Sequence, residues 1–150
     1  MGSVGVVYDT NTIISAYGFD GKPETAIKIG FHDEVAVYVS EETLTELTRV
    51  LRYEHLKFTE NEQEEIPSEF CELTDAETLS PTVDLNVVED DPDDDKFVEL
   101  AVEADAEYIV SGDDHLQDLD EFDGIDILSP AEFIDIVSFD PPDTDLRSEK

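Results

Sequence analysis

Apolar residues along the chain fall into short continuous blocks that are separated by longer segments of mixed polarity. A short continuous apolar block is typical of a strand that is buried on both faces of a sheet. Such blocks occupy residues 4–8, 35–39, 83–88, 108–110 and 125–128. The pattern therefore predicts five strands.

The segments between these blocks carry apolar residues at helical spacing. Residues 40–51 show it most clearly, because Leu44, Leu47 and Leu51 share one face and Ser40 can cap the first turn. Further helices are predicted directly after the first strand, at about 23–33, once or twice within 59–79, at 93–105 and from Pro130 to about residue 137.

Strands that alternate with helices are joined by right-handed crossovers and form a parallel sheet. We therefore expect an α/β fold of three layers, with a central, mostly parallel five-stranded sheet between helices. The 150 residues, of which 39% are hydrophobic, suffice for one core. Residues 1–137 form the predicted domain, and residues 138–150, with two prolines and almost nothing apolar, a predicted mobile tail.

The charge is far from balanced, with 41 acidic residues against 8 basic ones and a formal net charge of −33. Such a charge makes a folded chain repel itself. At molar ionic strength the Debye length falls to about 3 Å, which screens most of this repulsion. We interpret the acidity as halophilic, since the apolar blocks argue against a disordered polyanion.

Cysteine content and hydropathy exclude several classes of protein. Cys71 is the single cysteine, so neither a disulfide framework nor a thiolate zinc cluster is expected. No apolar stretch approaches the roughly 20 residues of a membrane span, and no signal region opens the chain. A cytoplasmic location with no membrane association is the prediction by elimination.

Acidic residues follow three of the predicted strands. Asp9 comes directly after the first strand, six of the seven residues 89–95 after the third strand are acidic, and Asp113 follows the fourth. Ligands of parallel sheets bind outside the carboxyl ends of the strands. Like charges that meet there without a counterion would cost stability, and a cation would remove that cost.

Structural roles for the same residues stay open at this point. More than a quarter of the residues are acidic, so a single aspartate at a strand end means little. Asp9 could form an Asx turn or cap a helix, although Asn11 or Thr12 could also supply that cap, and Asp113 could occupy a surface turn.

Oxygen ligands dominate the candidate site, which favours Mg²⁺ or Mn²⁺ over zinc. The three histidines, His32, His55 and His115, are scattered along the chain. His115 lies two residues after Asp113, and we interpret it as an exposed turn residue.

Helical phase selects one carboxylate from the acidic run. If residues 93–105 are helical, the apolar face that includes Phe97 and Ala101 borders Asp94, whereas Asp95 points away. Asp94 is therefore the predicted inward carboxylate.

Four segments together resemble the PIN domain, the fold of metal-dependent nucleases in many toxin–antitoxin systems and RNA-processing factors. They are "VVYDTNTIISA" at 6–16, "SEETLTEL" at 40–47, "DPDDDKFVELA" at 91–101 and "YIVSGDDHL" at 108–116. The resemblance runs from about residue 4 to 137 and is closest to the PIN-toxin-like group.

The resemblance implies roles for particular residues. The acidic quartet of the family, which would catalyse the reaction and hold the metal, falls on Asp9, Glu46, Asp94 and Asp113. Asn11 and Ser111 occupy the auxiliary polar positions. Asp95 replaces Asp94 if the third motif is shifted by one residue.

The function that the resemblance implies is Mg²⁺- or Mn²⁺-dependent hydrolysis of RNA phosphodiester bonds by an endoribonuclease. The chain would be the toxin of a toxin–antitoxin pair, with a homodimer and a cognate antitoxin as expected partners. An RNA-processing nuclease and a non-catalytic partner-binding module are the alternatives. Arg49 and Arg52 could contact the RNA backbone or pair with neighbouring acids.

An aspartate after the first parallel strand also suggests a phosphotransferase of the haloacid dehalogenase kind. Such enzymes need a second aspartate two positions later, where this chain has Asn11. The nuclease interpretation is therefore preferred.

Overall fold

The computed structural model describes residues 4–19, 21–85, 88 and 94–137. Within them the sheet has six strands, five of them parallel to one another. The strands are β1 (Val4–Tyr8), β2 (Val35–Ser40), β3 (Glu77–Leu79), β4 (Tyr108–Val110), β5 (Glu121–Phe122) and β6 (Ile125–Leu128). Their order across the sheet is β3-β2-β1-β4-β6-β5, and β5 is antiparallel to β6.

Seven α-helices cover the sheet in the described part of the chain. They are α1 (Thr10–Gly18), α2 (Lys22–Ile29), α3 (Glu41–Leu51), α4 (Glu60–Thr74), α5 (Asp95–Ala104), α6 (Asp114–Leu119) and α7 (Pro130–Ile136). This architecture confirms the predicted α/β fold with a mostly parallel central sheet.

The alternation of side chains along the strands divides the core into two halves. Val6 and Tyr8 of β1 pack on the side of α1, α2, α3, α4 and α7, whereas Val7 packs on the side of α5 and α6. Successive side chains of a strand point to opposite faces of its sheet, so helices on both faces bury both sets. The result is the three-layer arrangement.

The predicted count of five strands was wrong. Residues 83–85 and Val88 are not in a strand, and residues 86 and 87 lie outside the described part of the chain. Backbone N–H groups of this segment donate to carboxylates of α5 instead of to a neighbouring strand. The N–H of Thr82 donates to Glu103 at 3.1 Å, the N–H of Leu85 donates to Glu99 at 2.8 Å, and the N–H of Val88 donates to Asp95 at 2.8 Å.

Two strands were missed because little in their own sequence favours them. β3 contains Glu77, Thr78 and Leu79, none of which is buried, and it forms by parallel pairing with β2. β5 has only two residues and returns to β6 through Asp123 and Gly124, both at positive φ. Such a pair of residues is typical of a tight hairpin turn.

Residues that cap helices lie at the carboxyl ends of three of the parallel strands. Asp9 caps α1, Ser40 caps α3 and Asp113 caps α6, each by accepting a backbone N–H in the first turn. The prediction of Asn11 or Thr12 as the cap of α1 was wrong, because Asp9 itself accepts the N–H of Thr12 at 2.8 Å. Since β1 and β4 are parallel neighbours, Asp9 and Asp113 emerge at the same edge of the sheet.

The predicted tail, residues 138–150, lies outside the described residues. Among the described residues, no helix combines the length and apolar character needed to cross a bilayer.

Candidate metal centre

Asp9 lies at the centre of the carboxyl edge of the sheet and is only 3% exposed. Its Oδ1 accepts the N–H of Thr12 at 2.8 Å, and its Oδ2 accepts the hydroxyl of Ser111 at 2.6 Å. Each carboxylate oxygen offers two lone pairs, so each oxygen keeps a position for a further partner. Asp9 is thus a helix cap whose carboxylate is held in one orientation.

Ser111 connects Asp9 to the loop that carries Asp113. Its hydroxyl donates to Asp9 and accepts the backbone N–H of Asp113 at 2.9 Å, and the residue is completely buried. This pair of hydrogen bonds fixes the loop after β4 relative to the end of β1. The predicted auxiliary residue therefore lies where it can position two acids.

Asp94 and Asp113 come together although 18 residues separate them in the chain. One carboxylate oxygen of each lies within 4.8 Å of the other and of a ring nitrogen of His115. Both aspartates are half-buried, whereas His115 is exposed. The structure thus places two of the four predicted acids, and one unpredicted histidine, around a space that a cation could occupy.

Asp95, the alternative to Asp94, does not belong to this group. Its carboxylate accepts the N–H of Val88, and it is 6% exposed. The expectation that Asp95 points to solvent was wrong. Val88 supplies a backbone donor on that side of the helix, which the phase of the helix could not reveal.

Glu46 also lies outside the group. Its Oε2 accepts the hydroxyl of Thr10 at 2.5 Å, and its Oε1 is in direct contact with the ammonium group of Lys96. Arg49 lies 3.8 Å from the same Oε1. Thr10 follows Asp9 and Lys96 follows Asp95, so Glu46 joins α3 to the elements that carry the aspartates.

A groove of about 400 Å³ opens beside Asp113 and His115. Asn11, on the exposed side of α1, lines it together with Ser15. A second groove of about 340 Å³ is lined by Glu46, Arg49 and Lys96 among others. Arg52, at the end of α3, is exposed.

The electrostatics of Asp9 resist its ionisation in the absence of a cation. Burial raises its pKa above the ordinary value of an aspartate, whereas the hydrogen bonds from Ser111 and Thr12 lower it. The charge of Asp113 adds to the rise. Within the described part of the chain, no ion pair reaches Asp9 or Asp113.

The donors suit a divalent cation. Carboxylate oxygens are the protein ligands that Mg²⁺ and Mn²⁺ prefer. Asp94 and Asp113, both half-buried, offer such oxygens within 4.8 Å of each other, and Asp9 is linked to Asp113 through Ser111. A bound cation would also relieve the repulsion between these carboxylates.

Fold and site together define an α/β protein with a carboxylate cluster at the carboxyl edge of a parallel sheet. A family model described as the PIN domain matches residues 5–115. The chain belongs to the PIN-domain family. This match includes Asp9, Glu46, Asp94 and Asp113.

PIN domains are generally nucleases and use divalent metals, so membership supports a nuclease kind of activity. No curated protein matches the chain.

Sequence reasoning missed His115 and Lys96 as residues of this region. His115 carried a weak signal, because it lies two residues after Asp113, but only the turn into α6 places its ring beside Asp94. Lys96 carried none, since its contact with Glu46 joins residues that are 50 positions apart.

Proposed function

We propose that the protein is a Mg²⁺- or Mn²⁺-dependent endoribonuclease that hydrolyses RNA phosphodiester bonds. The observation that carries the proposal is the meeting of Asp94 and Asp113 within 4.8 Å, with Asp9 linked to Asp113 through Ser111. The resemblance of the sequence to PIN domains implies that these acids hold the metal and carry out the chemistry.

Asp94 and Asp113 would bind the metal directly. Asp9, which is linked to Asp113 through Ser111, would add a third carboxylate to the site. When bound, such a metal supplies an activated water and neutralises charge that develops at phosphorus. Thr12 and Ser111 keep the Asp9 carboxylate in one orientation through their hydrogen bonds. The catalytic contribution of the chain is therefore the fixed arrangement of these acids.

The groove beside Asp113 is the proposed path of the RNA. Asn11 lines it and offers an amide that can donate to a phosphate oxygen. A net charge of −33 opposes the approach of a polyanion. Molar salt would screen this repulsion, and a metal shared between carboxylates and phosphate would replace the basic surface that nucleic-acid binding usually needs.

The proposed biological role is that of the toxin of a toxin–antitoxin pair in a halophilic cytoplasm. Its support is the likeness of the sequence to PIN toxins and the acidic composition. A homodimer and a cognate antitoxin are the partners proposed with this role. An RNA-processing nuclease of the same family is the alternative, and the identity of the cleaved RNA would decide between them.

The test is an RNA cleavage assay in molar KCl, with Mn²⁺, with Mg²⁺ and with a chelator. We expect cleavage that requires a divalent metal and that Asp9→Asn abolishes. Asp126→Asn, which removes an exposed carboxylate of β6, is the matched control and should cleave at the wild-type rate.

Cleavage that persists in the chelator, or in the Asp9→Asn protein, would contradict the proposal. A wild-type protein that binds RNA but never cuts it would point to the non-catalytic partner-binding module.

A further inference from the structure

His115 lies beside Asp94 and Asp113, although the acidic quartet of the family includes no histidine. The quartet consists of carboxylates, yet one ring nitrogen of His115 lies within 4.8 Å of a ligand oxygen of each aspartate. His115 is in the first turn of α6, two residues beyond the cap Asp113. The same loop therefore presents a carboxylate and an imidazole to one space.

An imidazole nitrogen changes the metal preference of a carboxylate site. Mg²⁺ is a hard cation that is held through oxygen ligands and water, whereas imidazole suits first-row transition metals. Mn²⁺ has the lowest affinity of that series but accepts carboxylates as readily as Mg²⁺ does. A set of two carboxylates and one imidazole consequently favours a transition metal over Mg²⁺.

We propose that His115 is a metal ligand of this centre, together with Asp94 and Asp113, and that it makes the centre select Mn²⁺ over Mg²⁺. The inference rests on the proposed function, because it concerns the metal of the same site. It goes further by naming a nitrogen ligand and the cation that this ligand selects.

The exposure of His115 agrees with this role. The ring lies at the wall of the 400 Å³ groove that Asp113 also lines, so a cation held there faces the space proposed for the substrate. Asp94, by contrast, has a carboxylate oxygen that is shielded from solvent. The three ligands would thus hold the cation between the interior and the groove.

The decisive experiment is pulsed electron paramagnetic resonance of the full chain loaded with Mn²⁺ alone in molar KCl. A nitrogen ligand produces a ¹⁴N coupling on Mn²⁺, and the many surface carboxylates cannot produce one. We expect this coupling in the wild type, its loss in His115→Ala, and its persistence in His55→Ala. His55 is exposed, lies in the 3-10 turn Glu54–Leu56 and serves as the matched control.

Calorimetric titrations with Mn²⁺ and with Mg²⁺ measure the selectivity. Loss of one ligand should weaken Mn²⁺ binding by about tenfold or more, by comparison with the 10–100-fold effects of residues that only support ligands. Mg²⁺ binding should change by less than about twofold, since His115 contributes little to it. His115→Asp should strengthen Mg²⁺ binding, because it adds a carboxylate ligand, and should remove the preference for Mn²⁺.

Absence of ¹⁴N coupling in the wild type, or equal losses of Mn²⁺ and Mg²⁺ affinity in His115→Ala, would overturn the inference. Asp113→Asn separates this failure from failure of the proposed function. If Asp113→Asn loses Mn²⁺ while His115→Ala binds it normally, only the role of His115 falls. If both variants bind Mn²⁺ normally, the metal centre itself is refuted.

Discussion

Two groups of acids lie side by side at the carboxyl edge of the sheet, and they differ in whether a cationic side chain contacts them. Glu46 contacts the ammonium group of Lys96 and accepts the hydroxyl of Thr10. Asp9 and Asp113 receive hydrogen bonds from neutral groups only, and within the described residues no ion pair reaches them.

This difference separates two roles within the predicted quartet. A carboxylate that already has a cation of its own gains less from a metal than one that has none. Glu46 is therefore suited to holding Lys96 and the neighbouring helix in place. Asp9 and Asp113 are suited to binding an external cation, with Asp94 and His115 beside Asp113.

The largest expected effect is a loss of Mn²⁺ affinity, tested by comparing Asp94 with Glu46. Asp94→Asn should weaken Mn²⁺ binding by more than about 100-fold, because it removes a direct ligand, whereas Glu46→Gln should weaken it by less than about tenfold. Isothermal titration calorimetry in molar KCl measures both. Equal losses in the two variants would show that Glu46 is a ligand despite its contact with Lys96.

Ser111→Ala tests the connection between Asp9 and Asp113. The variant loses the hydroxyl that donates to Asp9 and accepts from the backbone of Asp113. Metal affinity should fall by about 10–100-fold, as for other residues that orient ligands.

Ser129→Ala removes the serine cap of α7, whose hydroxyl accepts the N–H of Glu132, and is the control for loss of a cap hydroxyl. It should leave metal affinity unchanged. A Ser111→Ala protein with wild-type affinity would mean that the acids need no orientation by this hydroxyl.

Lys96→Met should destabilise the fold, because it leaves the Glu46 side chain, which is only 13% exposed, with the more distant and exposed Arg49 as its cationic partner. Loss of a hydrogen bond to such a charged group costs about 1–3 kcal/mol. Urea unfolding at constant KCl measures this change in the free energy of unfolding.

The pair Lys28 and Glu24 offers the matched control, since Lys28→Met removes a cation of similar exposure from a pair at 3.6 Å within one helix. That change should cost about 0.5 kcal/mol or less. Adding Glu46→Gln to Lys96→Met should recover most of the lost stability. Additive losses in that double variant would refute the coupling between the two residues.

The smallest effect concerns the metal-free protein. Because the pKa of Asp9 is raised in the folded state, its stabilising contribution is complete below the unfolded pKa of about 3.9 and is lost as the pH rises through the folded pKa. Asp9→Asn should therefore raise the Tm at neutral pH by a few degrees and flatten this part of the pH profile.

Thermal unfolding in a chelator across the acid range checks this expectation, with Asp126→Asn as the control for the loss of one negative charge. A lower Tm for Asp9→Asn at neutral pH would mean that its cap and hydrogen bonds outweigh the cost of its buried charge.

Local patterns in the sequence were sufficient to predict an element where that element depends on its own residues. The apolar block of β1 followed by Asp9, and the block of β2 followed by Ser40 and α3, were predicted with nearly the observed bounds. These elements combine strong apolar character with a side chain that caps the next helix. Nothing distant is needed to explain them.

The misplaced elements depend on distant partners. Residues 83–85 have the composition of a strand, yet the N–H of Leu85 donates to Glu99 of α5. The polar β3, by contrast, forms because β2 offers an open edge. The site shows the same limit. Asp94 was selected by helical phase, but the phase assigned Asp95 to solvent and gave no sign of Lys96 beside Glu46.

The row of carboxylates on α5 has a consequence for engineering a variant that tolerates dilute buffer. A natural strategy is to replace acids with lysine until the net charge is modest, choosing helix positions without regard to neighbours. Glu99 and Glu103 look expendable by that criterion, yet they secure the backbone of residues 82–85. Glutamine keeps an acceptor oxygen there, whereas lysine would detach the strand-like segment from its helix.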